Sequence, residues 1–527
     1  MASRFSLPWH AVPVALILTI SATISGCANW HGVAAPVALT DPDQLDVGTA
    51  ITGDAKSPAG KQSAGSADPQ AMEALWPKST WWTAYRDPQL NQLVDQAIRD
   101  NPSQAIAAAR LQEALALAGV SRAGTLPSLD ASASLTRQHW PESGYYSGGF
   151  GGQNTFDNKA SLSLAYPLDL FGAHRNAYRA ALDDAHAAAA NARGAQLTLV
   201  SSVVRTYIQL SLEYRIQTIQ QSTLADQQHV LDLAQRRFNA GIGTQLEISE
   251  AQAPLPQSRL LLEQSAIAIA LSRNQLATLI GQGPGAGEHL QPPTLQLSEV
   301  PPLPSALPAE LIGHRPDVVA MRWAVESQAR SIDVAKAGFF PNIDLMANGG
   351  GSAVGAMFST FTRLSSMGFT AGPAITLPIF EGGRLRAGLQ GSTARYDIAV
   401  GQYQQTVLSA LQEISDEVMT DHSLALQHQE AADSVASAQR SFDLATTGFK
   451  RGLTDYVNVL SAEDRLFAQQ QSVARVQASQ LSSYASLMVA LGGGLASTSD
   501  LPNASTSAPA RSLLPRETLP RETPGTP

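Results

Sequence analysis

Two very long stretches of the chain keep a helical spacing of apolar and polar positions, and each runs into a glycine-punctuated turn and back out. The first follows Leu168-Asp169-Leu170-Phe171-Gly172 and reaches about Arg237; the second opens at Gly382-Gly383 and reaches about Gly448. At 1.5 Å per residue such runs extend roughly 100 Å, longer than a globular core uses and suited to a coiled coil or a tube wall. The turns are sisters. Phe238-Asn239-Ala240-Gly241-Ile242-Gly243-Thr244 precedes Phe449-Lys450-Arg451-Gly452-Leu453-Thr454-Asp455 by 211 residues, and Gly241 and Gly452 keep that separation. The pattern predicts two helical hairpins related by an internal duplication.

The return limbs are shorter, Thr244 to Leu279 and Asp455 to Leu491. A short helix precedes each hairpin. One starts at Asn101-Pro102 and ends near Gly124; the other starts at Arg315-Pro316-Asp317 and ends at Gly338-Phe339-Phe340-Pro341. Asn is a good cap, Pro fits a first turn, and Asp317 favours the helix dipole. A short helix and a return limb stacked end to end have nearly the length of one long helix. Pro254 and Pro256 fall inside the first return limb, where an interior proline removes a hydrogen bond and bends the helix. Their equivalents in the second repeat are Arg465 and Phe467.

Between the short helix and the long one the period changes from 3.6 to 2. Leu129, Ala131, Ala133 and Leu135 alternate with polar residues, as do Leu162, Leu164 and Tyr166. Ile343, Leu345 and Ala347 begin a third strand, and Phe369, Ala371, Ile375 and Leu377 mark a fourth. Gly/Ser-rich loops, Pro141 to Asn154 and Gly349 to Ser366, join each pair. Strands of about ten residues suit a tilted membrane crossing with one face to lipid. Four strands cannot close a barrel alone, so a membrane reading requires oligomerisation.

Composition supports this picture. Aromatics are only 6% of the chain and alanine dominates the apolar set, which suits closely packed long helices. The net charge of −9 argues against nucleic acid as a partner. The one cysteine, Cys27, excludes an internal disulfide. It follows Arg4, an apolar run from Ala11 to Ile20, and Ile24-Ser25-Gly26, the order of a lipoprotein signal peptide. Cys27 is therefore the candidate site of N-acyl and S-diacylglycerol attachment, a multiple-chain anchor. The boundaries read 1–26 for the signal peptide and 27–70 for the acylated N-terminus and tether. The first repeat spans 71–282, a Pro/Gly-rich linker 283–310, the second repeat 311–494, and a Ser/Pro-rich tail 495–527.

Candidate chemistry is sparse. Gly281-Gln282-Gly283-Pro284-Gly285-Ala286 follows a helix and leads into prolines, which is the wrong setting for a dinucleotide loop. No Walker loop, HExxH or Gly-x-Ser-x-Gly motif occurs, and the histidines are scattered. Nothing predicts an enzyme, a metal or a cofactor.

In order along the chain stand Trp81-Trp82 with Asp87-Pro88, Tyr166-Pro167-Leu168, and Arg315-Pro316-Asp317 with Ala335-Lys336-Ala337 and Phe339-Phe340-Pro341. Leu377-Pro378-Ile379-Phe380-Glu381-Gly382-Gly383-Arg384 follows. With the repeat and the lipobox, this set resembles the TolC-like outer membrane factors, in particular the lipoprotein branch of tripartite efflux systems (OprM-like and NodT-like). The resemblance implies a mainly α protein with a transmembrane β part. In a homotrimer, four strands per protomer would close a twelve-stranded barrel in the outer membrane, continued by a periplasmic α-helical tunnel. It implies a passive conduit working with a periplasmic membrane-fusion adaptor and an inner-membrane pump of the RND or a similar type. A type I protein-secretion channel has the same fold, and a structural coiled-coil surface lipoprotein is the other-class alternative.

The hairpin tips carry the implied mechanism. Gly241, Thr244, Gly452, Leu453 and Thr454 are the candidate adaptor contacts. Asn458 and Ser461, with Asp455 before them, are the candidate aperture-lining residues. The family's usual acids would fall at 458 and 461, and both are uncharged here; the first-repeat equivalents are Glu247 and Glu250. Glu463 and Asp464 are expected elsewhere on the helix surface.

Overall fold

The structure, a computed structural model, describes residues 36–37, 78–143, 149–295, 313–354 and 364–494. The signal peptide, Cys27, all but two residues of the tether, residues 296–312 of the linker region and the tail lie outside the described residues.

A 3-10 turn, Trp81–Tyr85, leads into α1, Pro88–Asp100. The buried Asp87 carboxylate caps α1, accepting from the backbone N–H of Gln89 and Leu90 at 2.9 and 3.2 Å. Leu90, Leu93, Val94 and Ala97 form its buried face. Then come α2 (Pro102–Ala123), β1 (Ser128–His139), β2 (Asn154–Pro167) and the long helix α3 (Ala173–Asn239). The first return limb is α4 (Gln245–Gln252) and α5 (Pro254–Leu279), followed by a single turn, α6 (Gly285–Glu288). The second repeat supplies α7 (Pro316–Ala337), β3 (Asn342–Val354), β4 (Met367–Thr376), α8 (Arg384–Lys450) and α9 (Tyr456–Ala490).

Helices α3 and α8 each have 67 residues, or about 100 Å at 1.5 Å per residue. Packed side by side, α2, α3, α7 and α8 form one half of the wall, and α5, α3, α9 and α8 the other. The short helices therefore stack end to end along the long ones, and both junctions are sealed by the residue before a proline. Asn101 Nδ2 donates to the Leu279 carbonyl at the end of α5, at 2.8 Å. Arg315 Nη1 donates to the Ala490 carbonyl at the end of α9, at 3.0 Å. Each contact satisfies an orphan carbonyl of a helix C-terminus, and the Arg charge suits that end of the dipole.

The largest apolar core surrounds these junctions. Trp81, Trp82 and Tyr85 pack with Val203, Tyr207, Leu481 and Met488. Asp87 also accepts from Tyr207 Oη and Thr294 Oγ1, both at 2.9 Å, tying α1, α3 and the start of the linker to one carboxylate. Burial, then the Asp87 charge, pushes the Tyr207 phenol far above its usual value, so it stays a donor.

The sheet is an antiparallel meander in the order β1-β2-β3-β4. Its register stacks Leu129 on Leu164 and Leu164 on Ala347, and pairs Leu345 with Pro373. All these residues lie on one face, with Phe369 85% exposed there. The other face carries Asp130, Ser132, Ser161, Ser163 and Asn348, with Ser132 bonded to Ser161 and Asn348 to Ser163. Strand β2 of the first repeat pairs with β3 of the second, so β1 and β4 are open edges. Pro373, which has no N–H to give, sits on edge strand β4.

One boundary differs from the sequence expectation. Gly349–Gly351, read as the start of a loop, lie within β3, which continues to Val354. A Cβ at Gly350 would lie 2.2 Å from the Ala160 carbonyl oxygen, so the strand needs glycine there to approach β2. No described helix is long and apolar enough to cross a membrane.

Candidate functional site

Both hairpin tips use the same turn. Gly241 and Gly452 have φ of 74° and 71°, the left-handed conformation that ends a helix at low steric cost only with glycine. In the first tip the Ile242 N–H returns to the Arg237 carbonyl at 3.1 Å; in the second, the Leu453 N–H returns to the Gly448 carbonyl at 2.9 Å. These bonds define Schellman caps and leave Ile242 and Leu453 pointing outward, 68% and 77% exposed. Gly241, Thr244, Gly452 and Leu453 are exposed, and Thr454 is half-buried.

The return limbs begin differently. Thr244 Oγ1 caps α4, accepting from the Glu247 N–H at 3.2 Å. Asp455 occupies the same place before α9 without a side-chain cap bond. Asn458 Nδ2 instead donates to Thr454 Oγ1 at 2.8 Å. Asp455, Asn458 and Ser461 are all exposed and recur every third residue, so they share one stripe. The opposite face of α9 is the tip core: Tyr456 and Val459 pack with Phe449 and, from the first hairpin, Val230, Ala234, Ile248 and Ala251.

The sequence reading did not single out Arg237. Its guanidinium lies 4.9 Å from the centre of the Phe449 ring, and Nη1 donates to the Phe449 carbonyl at 3.3 Å. Nε lies 3.7 Å from Glu247 Oε2. One mostly buried side chain thus bridges the two hairpins. The first repeat's acid is used in this ion pair, and at the equivalent positions the second repeat has Gly448 and Asn458. That inequality between otherwise matching turns was the available signal.

Glu463 corrects the expectation of a surface acid. It is 4% exposed, with no partner on either carboxylate oxygen. Its spacing explains the burial: Tyr456, Val459, Glu463 and Leu466 recur at three and four residues, the inward stripe of α9. Burial first, then Asp226 and Asp464, pushes its pKa up to about 8. Tyr456, whose Oη is also buried without a partner, is pushed up to about 12, mainly by burial and then by Glu463.

At the prolines expected to bend the first return limb, the helix is interrupted. Helices α4 and α5 are separated at Ala253, whose backbone stays near helical values with φ −58° and ψ −41°. The equivalent stretch of the second repeat, around Arg465 and Phe467, lies in uninterrupted α9. Among the described residues, no group of three or more His, Cys, Asp or Glu side chains is placed to hold a metal ion.

Comparison with known proteins adds the assignment. The family model "Outer membrane efflux protein" matches residues 93–282 and 307–493. The chain is 45% identical over 379 residues to the fusaric acid resistance protein FusA of Burkholderia cepacia, covering 72% of this chain and 68% of that protein. It is 29% identical over 427 residues to the toluene efflux pump outer membrane protein TtgC of Pseudomonas putida, covering 81% and 87%. Among solved structures, the outer membrane protein VceC of Vibrio cholerae superposes with a TM-score of 0.74 at 32% identity, over 80% of this chain and 100% of VceC. The outer-membrane channel OprN gives 0.72 at 27% identity, over 84% and 99%. The chain belongs to the outer membrane efflux protein family, the TolC-like channels that join a β part in the outer membrane to an α-helical tunnel.

Proposed function

We propose that this channel is a homotrimeric, passive exit duct of a tripartite efflux pump, carrying small toxic organic molecules. The observation that carries the reading is the unfinished wall. The sheet has an apolar face, a polar face and two open edges. Open strand edges are not tolerated in hydrocarbon, so β4 of one copy must meet β1 of the next. The helices are unfinished in the same sense: exposed apolar residues stand on α2 and α5 at one flank (Leu117, Val120, Leu260, Leu271) and on α8 at the other (Leu408, Met419, Leu426). Three copies of four strands give the twelve of a closed barrel.

The exposed Ile242, Leu246, Leu453 and Val457 at the tips form an apolar end surface suited to a periplasmic adaptor hairpin, which links the duct to an inner-membrane pump. The Asp455–Asn458–Ser461 stripe lines the aperture. Cys27 carries the N-acyl and diacylglycerol chains that anchor each copy. No bond is made or broken by the chain; energy comes from the pump. Small-molecule cargo is supported by the relatives, named for fusaric acid resistance and toluene efflux. The test is reconstitution: purified full-length protein is expected as a trimer that conducts ions in a planar bilayer, and its deletion is expected to sensitise cells to aromatic acids and solvents. A monomer without conductance overturns the reading in favour of a structural surface lipoprotein.

A further inference from the structure

Strands β1 and β2 join the tunnel helices α2 and α3 at one end, so their other end, at His139 and Asn154, faces the outer leaflet. On β2 the apolar face runs from Tyr166 through Leu164, Leu162 and Ala160 to Phe156, and the one polar residue in the row, Asn158, is buried. At about 3.4 Å per residue and a tilt of about 40°, that row rises about 26 Å, the height of an outer-membrane apolar band with an aromatic side chain at each end. Arg137 is the register partner of Phe156 and lies on the same face. It therefore stands where the acyl region meets the headgroups.

Arg137 is exposed, and its guanidinium lies 6.0 Å from the centre of the Phe156 ring. Among the described residues no carboxylate pairs with it. Asp157 is on the polar face, 3.0 Å from Lys159, and Glu142 lies against Gly152 in the connection between the strands. The segment between β3 and β4, residues 355–366, contains no acid. His139 follows two residues later on the apolar face, about 7 Å along the strand. Its Nδ1 is 3.2 Å from Asn154 Oδ1, a contact that fixes the ring and leaves Nε2 for a second partner.

We propose that Arg137 and His139 hold the phosphate of an anionic lipid of the outer leaflet. The guanidinium offers a fork of donors that matches phosphate oxygens, and the charged imidazole adds a donor at Nε2. The Phe156 ring keeps the guanidinium at the surface, and the acyl chains lie down the apolar face past Leu135 and Leu162. Strand β1 is an open edge, so the lipid lies beside the seam at which the next copy joins. The inference rests on the β part lying in the outer membrane and not on any cargo.

The test uses full-length protein in neutral detergent, with dioleoyl phosphatidic acid as the phosphate-bearing lipid and dioleoylglycerol as the same lipid without phosphate. Native mass spectrometry counts the lipid retained. It is expected to show one phosphatidic acid per chain at saturation, bound at least tenfold tighter than dioleoylglycerol. Arg137→Gln is expected to weaken binding at least fivefold, Arg137→Lys, which keeps the charge but not the fork, about threefold, and His139→Gln about twofold. Arg440→Gln, on α8 far from the sheet, is expected to change nothing. Inorganic phosphate in tenfold excess is expected to leave the lipid in place. Melting temperatures identify any variant that fails to fold, and the two-lipid comparison on the unaltered protein then still decides. Equal retention of the two lipids, or displacement by inorganic phosphate, which marks a site for the free anion, overturns the proposal. So does a folded Arg137→Gln variant that retains as much lipid as the unaltered protein, or an equal loss in Arg440→Gln. A conducting trimer that fails this test loses the lipid site alone, so its failure is distinct from failure of the efflux reading.

Discussion

The two repeats fold alike but place their charged contacts at opposite ends. At the junction of short helix and return limb, the first repeat uses a neutral amide, Asn101 on the Leu279 carbonyl. The second uses Arg315, which holds the Ala490 carbonyl and also pairs with Asp317 and Glu413, each at 2.8 Å. At the tip the order reverses: Arg237 and Glu247 in the first repeat stand where the second has Gly448 and Asn458. The second hairpin is thus fixed by charge at its root, while its tip is held by apolar packing and by an arginine lent from its sister. Duplication supplied one scaffold twice. The divergence gave the first hairpin an ion pair of its own at the tip and the second hairpin none.

The largest expected effect is at the root. Arg315→Ala takes the guanidinium away from two carboxylates and a helix carbonyl and is expected to cost about 2–3 kcal/mol, whereas Asn101→Ala costs about 1 kcal/mol. Thermal denaturation of the two variants checks the ratio; equal losses remove the asymmetry. At the tip, Arg237→Ala removes a partly buried cation–π contact and a charged hydrogen bond, an expected loss of about 1–2 kcal/mol. Its main readout is a larger open-channel conductance, because the second tip loses its tie to the first.

Acid and alkali are expected to attack opposite ends. At Asp317 burial pulls the pKa up, but Arg315 overrides it and holds the carboxyl below its usual value. A depressed folded value means stabilisation that is present above the unfolded pKa and lost as pH falls through the folded one. Glu463 is the reverse. Its pKa rises from 4.5 to about 8, so the folded state holds a proton that the unfolded state has released. Stability from this group declines as pH rises from 4.5 to about 8 and levels off above. Glu463→Gln is expected to flatten that decline in melting temperature between pH 5 and 9; an unchanged slope refutes a protonated Glu463. The smallest difference is expected between Gly241→Ala and Gly452→Ala. Both place a Cβ in the left-handed region, at about 1–2 kcal/mol each, and equal losses confirm that the turns themselves never diverged.

Much of this architecture was legible in the residues. The 211-residue register, the Asn-Pro and Arg-Pro-Asp helix starts and the period-2 stretches located nearly every element, because each rests on local geometry. Three features were not. Gly349–Gly351 read as a loop, since the need for close approach to Ala160 exists only once β2 and β3 pair. Glu463 read as surface because its charge masked a position that the spacing of Tyr456, Val459 and Leu466 assigns to the interior. Arg237 was missed because its partner, Phe449, is near only after both hairpins have folded.

The chain forms a conducting duct whose second hairpin tip is held by its sister through Arg237. Single-channel recording of the purified full-length protein and its Arg237→Ala variant in a planar bilayer tests it most directly. The unaltered protein is expected to show a small conductance that rises severalfold in the variant. No conductance in either contradicts the duct, and equal conductance in both contradicts the tie between the tips.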